Sequence, residues 1–163
     1  MRIIGIDPGL ARMGFGVVQM TPKQLVPIKY GCIQTDLNLS VSSRLKRVYE
    51  NLQEILEIHQ PSHFAIEKLF FNKNTRTALS VGEARGVALL AASVAGLCVF
   101  EYTPLQVKMS VAGYGKATKK QVCYMVKAIL QLNTSPNLDD TTDALAVAIC
   151  HAQNTISKKL TGI

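Results

Sequence analysis

Two β-rich runs, residues 2 to 7 and 14 to 20, are separated only by the turn "PGLARM", and the first run ends in a carboxylate. Alternating apolar runs on either side of a Pro-Gly turn predict a hairpin, which commits the chain to a sheet with an antiparallel part. The same stretch raises a chemical question, because Asp7 follows "IIGI" directly. An unpaired carboxylate at the mouth of a core strand costs several kcal/mol or takes up a proton. Asp7 is therefore expected to hold something.

The rest of the chain reads from period and punctuation. "LVPIKYGCIQT" supplies a third strand, and from Ser40 the apolar positions Val41, Leu45, Val48, Leu52, Ile55 and Leu56 repeat at helical spacing, ending near Pro61. "HFAIEKLF" predicts a fourth strand, residues 75 to 95 a helix crowded with Ala and Gly, and "CVFEY" a fifth strand. Helices are predicted over about 104 to 111, 118 to 132 and 139 to 156, with the Gly-rich loop "AGYGKAT" between the first two. Three strands in a meander followed by alternating helices and strands give an α/β fold, a mixed five-stranded sheet with helices on both faces. One domain over residues 1–156 and a short basic tail over 157–163 account for the 163 residues.

Several function classes fall away at once. The four cysteines, Cys32, Cys98, Cys123 and Cys150, lie far apart with no Cys-x-x-Cys pair, which suits reduced core thiols rather than disulfides or a zinc site. His59, His63 and His151 share no metal-ligand spacing and are read as structural. The longest apolar run, residues 87 to 100, is shorter than the ~20 residues a bilayer needs and is read as a buried helix running into a strand. No secretory signal is visible. A soluble, cytoplasmic protein without a membrane partner is expected.

The net charge of +7 is concentrated. No acidic residue occurs between Glu101 and Asp139, while Lys108, Lys116, Lys119, Lys120 and Lys127 fall in that window. "EKLFFNKNTR" brings Lys68, Lys73 and Arg76 close to Phe70 and Phe71. Lysines alone describe a solvated surface. Lysines beside aromatics describe a surface that tracks phosphates and stacks on bases.

Four of the eleven acidic residues stand where solvated carboxylates do not belong. Asp7 ends the first strand, Glu67 lies inside "FAIEKLF", and Asp140 and Asp143 open the last helix in "NLDDTTDALAVAI". An Asp at a helix start can simply cap free N–H groups, and either Asp139 or Asp140 can play that part. Helix spacing lets either one share a face with Asp143, at i+4 or i+3. Carboxylates gathered from two strands and a helix would repel one another without a counter-charge. A set of hard oxygen ligands is what Mg²⁺ or Mn²⁺ requires, and two such ions ~4 Å apart can activate water and steady a leaving oxygen in phosphoryl transfer.

Taken in order, "GIDPGLARMGFGVV", "AIEKLFF", "EARGVALLAA" and "DDTTDALAVAI" resemble the four motifs of the RuvC-type Holliday junction resolvases, members of the RNase H-like nuclease superfamily. The resemblance runs from residue 1 to about residue 152. It implies a nuclease domain that nicks four-way DNA junctions in symmetric pairs during homologous recombination and DNA repair, leaving 5′-phosphate and 3′-hydroxyl ends. It further implies two Mg²⁺ ions per active site, with Mn²⁺ able to substitute, held by Asp7, Glu67, Asp140 and Asp143. Lys108 and Lys119 fall on the family's basic residues near the scissile phosphate, and Phe70 on its junction-contacting aromatic. With Lys73, Arg76, Lys116 and Lys120 these make up the expected DNA-binding set. The implied partners are a second copy of the chain, packed near the helix that carries Gly82 and Gly86, and the RuvA-RuvB branch-migration complex.

Three other readings compete. "GIDPG" also resembles the first phosphate motif of the actin and sugar-kinase ATPases, but those need two such domains and a second Asp-Gly loop, and this chain has neither. A non-catalytic junction-binding module would gain nothing from four carboxylates, since negative charge weakens DNA binding. An RNase H-like nuclease acting on RNA or simpler DNA is the nearest rival.

Overall fold

A computed structural model describes residues 1–69, 75–133 and 139–161, and of residues 75–77 and 158–161 the backbone alone. The strands are β1 (Arg2–Asp7), β2 (Arg12–Met20), β3 (Leu25–Gln34), β4 (His63–Glu67) and β5 (Cys98–Tyr102). The helices are α1 (Val41–His59), α2 (Thr75–Val94), α3 (Pro104–Ala112), α4 (Lys119–Ile129) and α5 (Asp139–Thr161). The sheet order is β3-β2-β1-β4-β5, antiparallel across β3, β2 and β1 and parallel from β1 through β4 to β5. This is the mixed sheet expected from the meander and the helix-strand alternation.

Side-chain alternation along β1 sorts the core into two layers. Ile4 and Ile6 join Phe64 and Ile66 of β4 against Val48 and Leu52 of α1 and Ala84 and Ala88 of α2. Ile3 faces the other way, with Ala65, Leu145, Ala148 and Ile149, where α5 lies along the sheet. Asp7 and Glu67 stand two and four residues beyond Gly5 and Ile3, or two beyond Ala65, so they project on the α5 side. Because Ile6 is paired with Ile66 in the parallel β1–β4 ladder, the two carboxylates end neighbouring strands at the same level. Strand period and register alone therefore put them together.

What lets α5 descend to that level is missing side-chain volume. A Cβ on Gly14 would lie 1.9 Å from the backbone oxygen of Asp140, and one on Gly5 would lie 2.2 Å from that of Ala144. Gly14 pairs with Asp7 across β1 and β2, so the start of α5 rests directly beside the Asp7 strand end. Pro104 and the reciprocal Thr103–Gln106 side-chain and backbone bonds start α3, and the same Thr118–Gln121 arrangement starts α4. A chain of rings, buried at Tyr102 and His151 and half-buried at His63, ties α5 to the sheet: Tyr102 Oη lies 2.7 Å from His151 Nδ1, and His151 Nε2 lies 2.7 Å from His63 Nδ1. The three histidines thus divide, with His63 and His151 structural as expected.

Some boundaries differ from the sequence reading. β4 ends at Glu67 rather than running through "KLF", and β2 already begins at Arg12. α4 stops at Ile129, and α5 continues past residue 156 to Thr161, so the stretch set apart as a basic tail begins as helix. The apolar run at 87 to 100 is the end of α2 and the start of β5, and no helix among the described residues is long and apolar enough to cross a membrane. All four cysteines are free, but only Cys150 is buried and Cys98 is exposed, which corrects the expectation of four core thiols.

Candidate active site

The structure brings Asp7, Glu67, Asp140, Asp143, Lys108 and Lys119 to the wall of one cavity of about 360 Å³, floored by Val107, Val122, Ala146 and Val147. Strand ends supply the first two carboxylates, the first turns of α5 the next two, and α3 and α4 one lysine each. Asp140 and Asp143 are three apart and so share a helix face. Asp139 is exposed and does not line the cavity, which separates the doublet that spacing left open.

Charge in this cleft is out of balance. Burial pushes the Asp7 acid up to about 8, with Asp143, Glu67 and Asp140 adding repulsion and Lys119 relieving part of it. Burial likewise raises Glu67 to about 7, with Asp143 adding to the shift and Lys119 and Lys108 opposing it. Asp143 is also raised by burial even though Lys119 Nζ stands 3.3 Å from its Oδ2. The same pairing raises the ammonium of Lys119, so that lysine remains charged. Arg12 Nε lies 3.0 Å from Asp140 Oδ2, yet that buried oxygen receives no hydrogen bond from the described residues. The Arg12 contact is therefore one of charge without hydrogen-bond direction.

The donor set fits a hard divalent cation. It is all carboxylate oxygen, it includes a buried acceptor without a donor, and its mutual repulsion is what a cation would remove. No group of three His, Cys, Asp or Glu among the described residues is already arranged to hold a metal ion.

The remaining expected DNA contacts divide. Lys116 is exposed on the loop between α3 and α4, and Lys120 is exposed in the first turn of α4; neither lines the cavity. Phe70 and Lys73 lie outside the described residues, as does Phe71, and of Arg76 only the backbone, in the first turn of α2, is described.

A family model described as crossover junction endodeoxyribonuclease RuvC matches residues 3–151. The chain belongs to the RuvC family. It is similar to the RuvC of Brevibacillus brevis, 55% identical over 153 residues that cover 94% of this chain and 92% of the relative. The RuvC of Pelotomaculum thermopropionicum is 55% identical over 154 residues, covering 94% of both. Among solved structures, Thermus thermophilus RuvC in complex with Holliday junction substrate superposes with a TM-score of 0.90 at 35% identity, covering 95% of this chain and 94% of that one. The yeast mitochondrial Holliday junction resolvase Ydc2, at 13% identity and a TM-score of 0.73, shares the fold.

Two residues inside the RuvC motifs were passed over in the sequence reading. Arg12, in "GIDPGLARMGFGVV", is the cation on Asp140. Arg85, in "EARGVALLAA", donates from Nε to the backbone oxygen of Glu67 at 3.3 Å and pairs through Nη2 with Oε2 of Glu101. Arg85 thereby ties α2 to the end of the strand that carries a cleft carboxylate. The available signal was an arginine in an otherwise small or apolar motif, which needs a partner.

Proposed function

We propose that this chain is a metal-dependent endonuclease that resolves four-way DNA junctions by paired, symmetric nicks. The observation that carries the reading is the convergence of two strand-end and two helical carboxylates with two lysines in one cleft of a RuvC-family chain. The junction as substrate is supported by the Thermus thermophilus relative, whose structure was solved in complex with one.

Asp7, Glu67, Asp140 and Asp143 would hold two Mg²⁺ ions, for which Mn²⁺ can stand in. Bound divalent cations supply charge neutralisation at the phosphate and lower the pKa of the attacking water. The chain's own residues do the rest. Lys108 and Lys119 place positive charge at the cleft wall, where it attracts the phosphodiester and offsets charge that grows on it in the transition state. Pro104, Val107, Val122, Ala146 and Val147 give the cleft an apolar lining beside its charged groups, and a lining of lower polarity than water strengthens those interactions. In-line attack by water breaks the bond to the 3′ oxygen, leaving 5′-phosphate and 3′-hydroxyl ends with no covalent link to the protein. Phe70, Lys73, Arg76, Lys116 and Lys120 would contact the DNA around the cut.

Residues 1–156 act as one nuclease domain in this reading, in the cytoplasm. Paired nicks call for two sites, and α2 supports a homodimer. Its Leu79, Leu90 and Val94 are exposed while Ala84, Ala88, Ala91 and Ala92 are buried, and Gly86 has no neighbour over its Cβ position. A helix apolar on both sides has a second face to cover. The RuvA-RuvB branch-migration complex is the partner that the family resemblance implies.

Incubation with a synthetic four-way junction and with its linear duplex in Mg²⁺ tests the reading. Symmetric nicks in the junction alone, abolished by chelation, are expected; equal cutting of duplex or of RNA hybrids would make this a general RNase H-like nuclease.

A further inference from the structure

On the side of α4 away from the cleft lies a second depression of about 330 Å³, lined by Tyr114, Ala117, Lys120, Gln121, Tyr124 and Met125, among others. Tyr114 is 56% exposed and Tyr124 72% exposed. Two exposed tyrosines on one groove are unusual in a chain with five in all, and Tyr is favoured where one partner is apolar on its body and hydrogen-bonding at its tip. No carboxylate lines this groove, and none occurs in the sequence from residue 102 to residue 138, which carries five lysines. Any occupant therefore meets positive charge and phenol hydroxyls without an acidic counterpart.

α4 is the partition between groove and cleft. Its Lys119 and Val122 line the cleft, whereas Lys120, Gln121, Tyr124 and Met125 line the groove, on the opposite helix face. We propose that the groove carries the sugar-phosphate backbone of a junction arm next to the cut, with Lys120 on a phosphate and the Tyr114 and Tyr124 rings against sugars, their hydroxyls donating to phosphate oxygens. Tyr, Lys and Gln side chains are standard donors to the DNA backbone, and such contacts fix register without reading sequence. A helix is ~10 Å across and a duplex rises ~3.4 Å per nucleotide of one strand, so the groove meets the backbone about three nucleotides from the scissile phosphate. The groove thus sets how far an arm must extend as duplex for the cleft to be filled correctly.

This inference rests on the junction-nuclease reading, and the experiment separates the two. Full-length protein carrying a photo-crosslinking aromatic in place of Tyr124 is bound to a labelled four-way junction without Mg²⁺ and irradiated. Binding of wild type, Tyr124→Ala, Lys120→Ala and, as a control on α1, Ile58→Ser is measured over a range of salt. Crosslinks within about three to five nucleotides of the cut are expected, with a several-fold loss of affinity for Tyr124→Ala and a salt slope lower by about one for Lys120→Ala. Ile58→Ser should bind as wild type. Crosslinks to a second protein chain, or wild-type affinity and salt slope in both groove variants while the wild-type protein nicks junctions, would overturn the groove assignment. Failure of the wild-type protein to nick any junction would instead remove the reading beneath it.

Discussion

Asp7 takes part in two opposed balances, one with its fellow carboxylates and one with a cation. In the metal-free protein its acid is raised to about 8 by burial first and then by Asp143, Glu67 and Asp140. An acid whose folded pKa lies above its unfolded value of 3.8 favours the folded state only while it stays protonated, and that advantage is lost as pH climbs toward 8. Glu67, raised to about 7, adds a loss over a lower window. Asp7→Asn should therefore raise the melting temperature in chelator at pH 8.5, by an amount reflecting on the order of a few kcal/mol, and change little at pH 4. Thermal melts at the two pH values check this, and an equal shift at both would mean that Asp7 is not held above its usual range. Mg²⁺ should erase the advantage, since the cation takes over the neutralising role. At this scale much was legible: Asp7, Glu67 and Asp143 stand out as carboxylates in apolar contexts, because burying charge is costly enough to leave a trace in the sequence. Arg12 and Arg85 were not, because a surface-compatible residue shows its role only when its partner's position is known.

Among the elements, α5 and the β1–β2 hairpin form the frame of the site. α5 brings Asp140 and Asp143 to Asp7 because Gly14 and Gly5 leave the sheet low enough to receive it. Gly14→Ala would set a methyl group 1.9 Å from the Asp140 backbone oxygen, and neither backbone can yield cheaply. It is expected to cost ~1–3 kcal/mol of stability by overpacking. The shift of α5 by even an ångström should lower the nicking rate by ~10²-fold. Comparing melting temperature with nicking rate tests this, and a variant that is stable and fully active would show that α5 need not sit so close. The hairpin, the third strand and α1 were all foreseeable from period and from the Pro-Gly turn. The glycine contacts were not, since nothing in a strand's own period says which helix it will meet. Strand ends such as Glu67 were blurred for a related reason: "KLF" continues the β-like composition, and only pairing with β5, which ends at Tyr102, stops the ladder.

At the scale of the whole molecule, the lysine-rich window and the carboxylate cleft belong to a junction-cleaving nuclease, and the apolar outer side of α2 is the proposed contact with a second copy. Leu90→Asp places a charge on the exposed side of α2, away from the buried alanines, so the fold should persist while a dimer dissociates. Sedimentation should show a monomer that still melts cooperatively but no longer makes paired nicks; an unchanged dimer would move the interface elsewhere. In the proposed mechanism the four carboxylates of the cleft are the metal-dependent cutting machinery and not merely a buried acidic cluster. Its most direct test measures junction affinity and Mg²⁺-dependent nicking together for Asp7→Asn, with the exposed Asp139→Asn alongside. Asp7→Asn should bind the junction at least as well as wild type and nick it ~10²-fold or more slowly, because a neutral amide removes charge that matters only in the transition state. Asp139→Asn should stay within a few fold of wild type. Nicking by Asp7→Asn at the wild-type rate in Mg²⁺ would contradict the account.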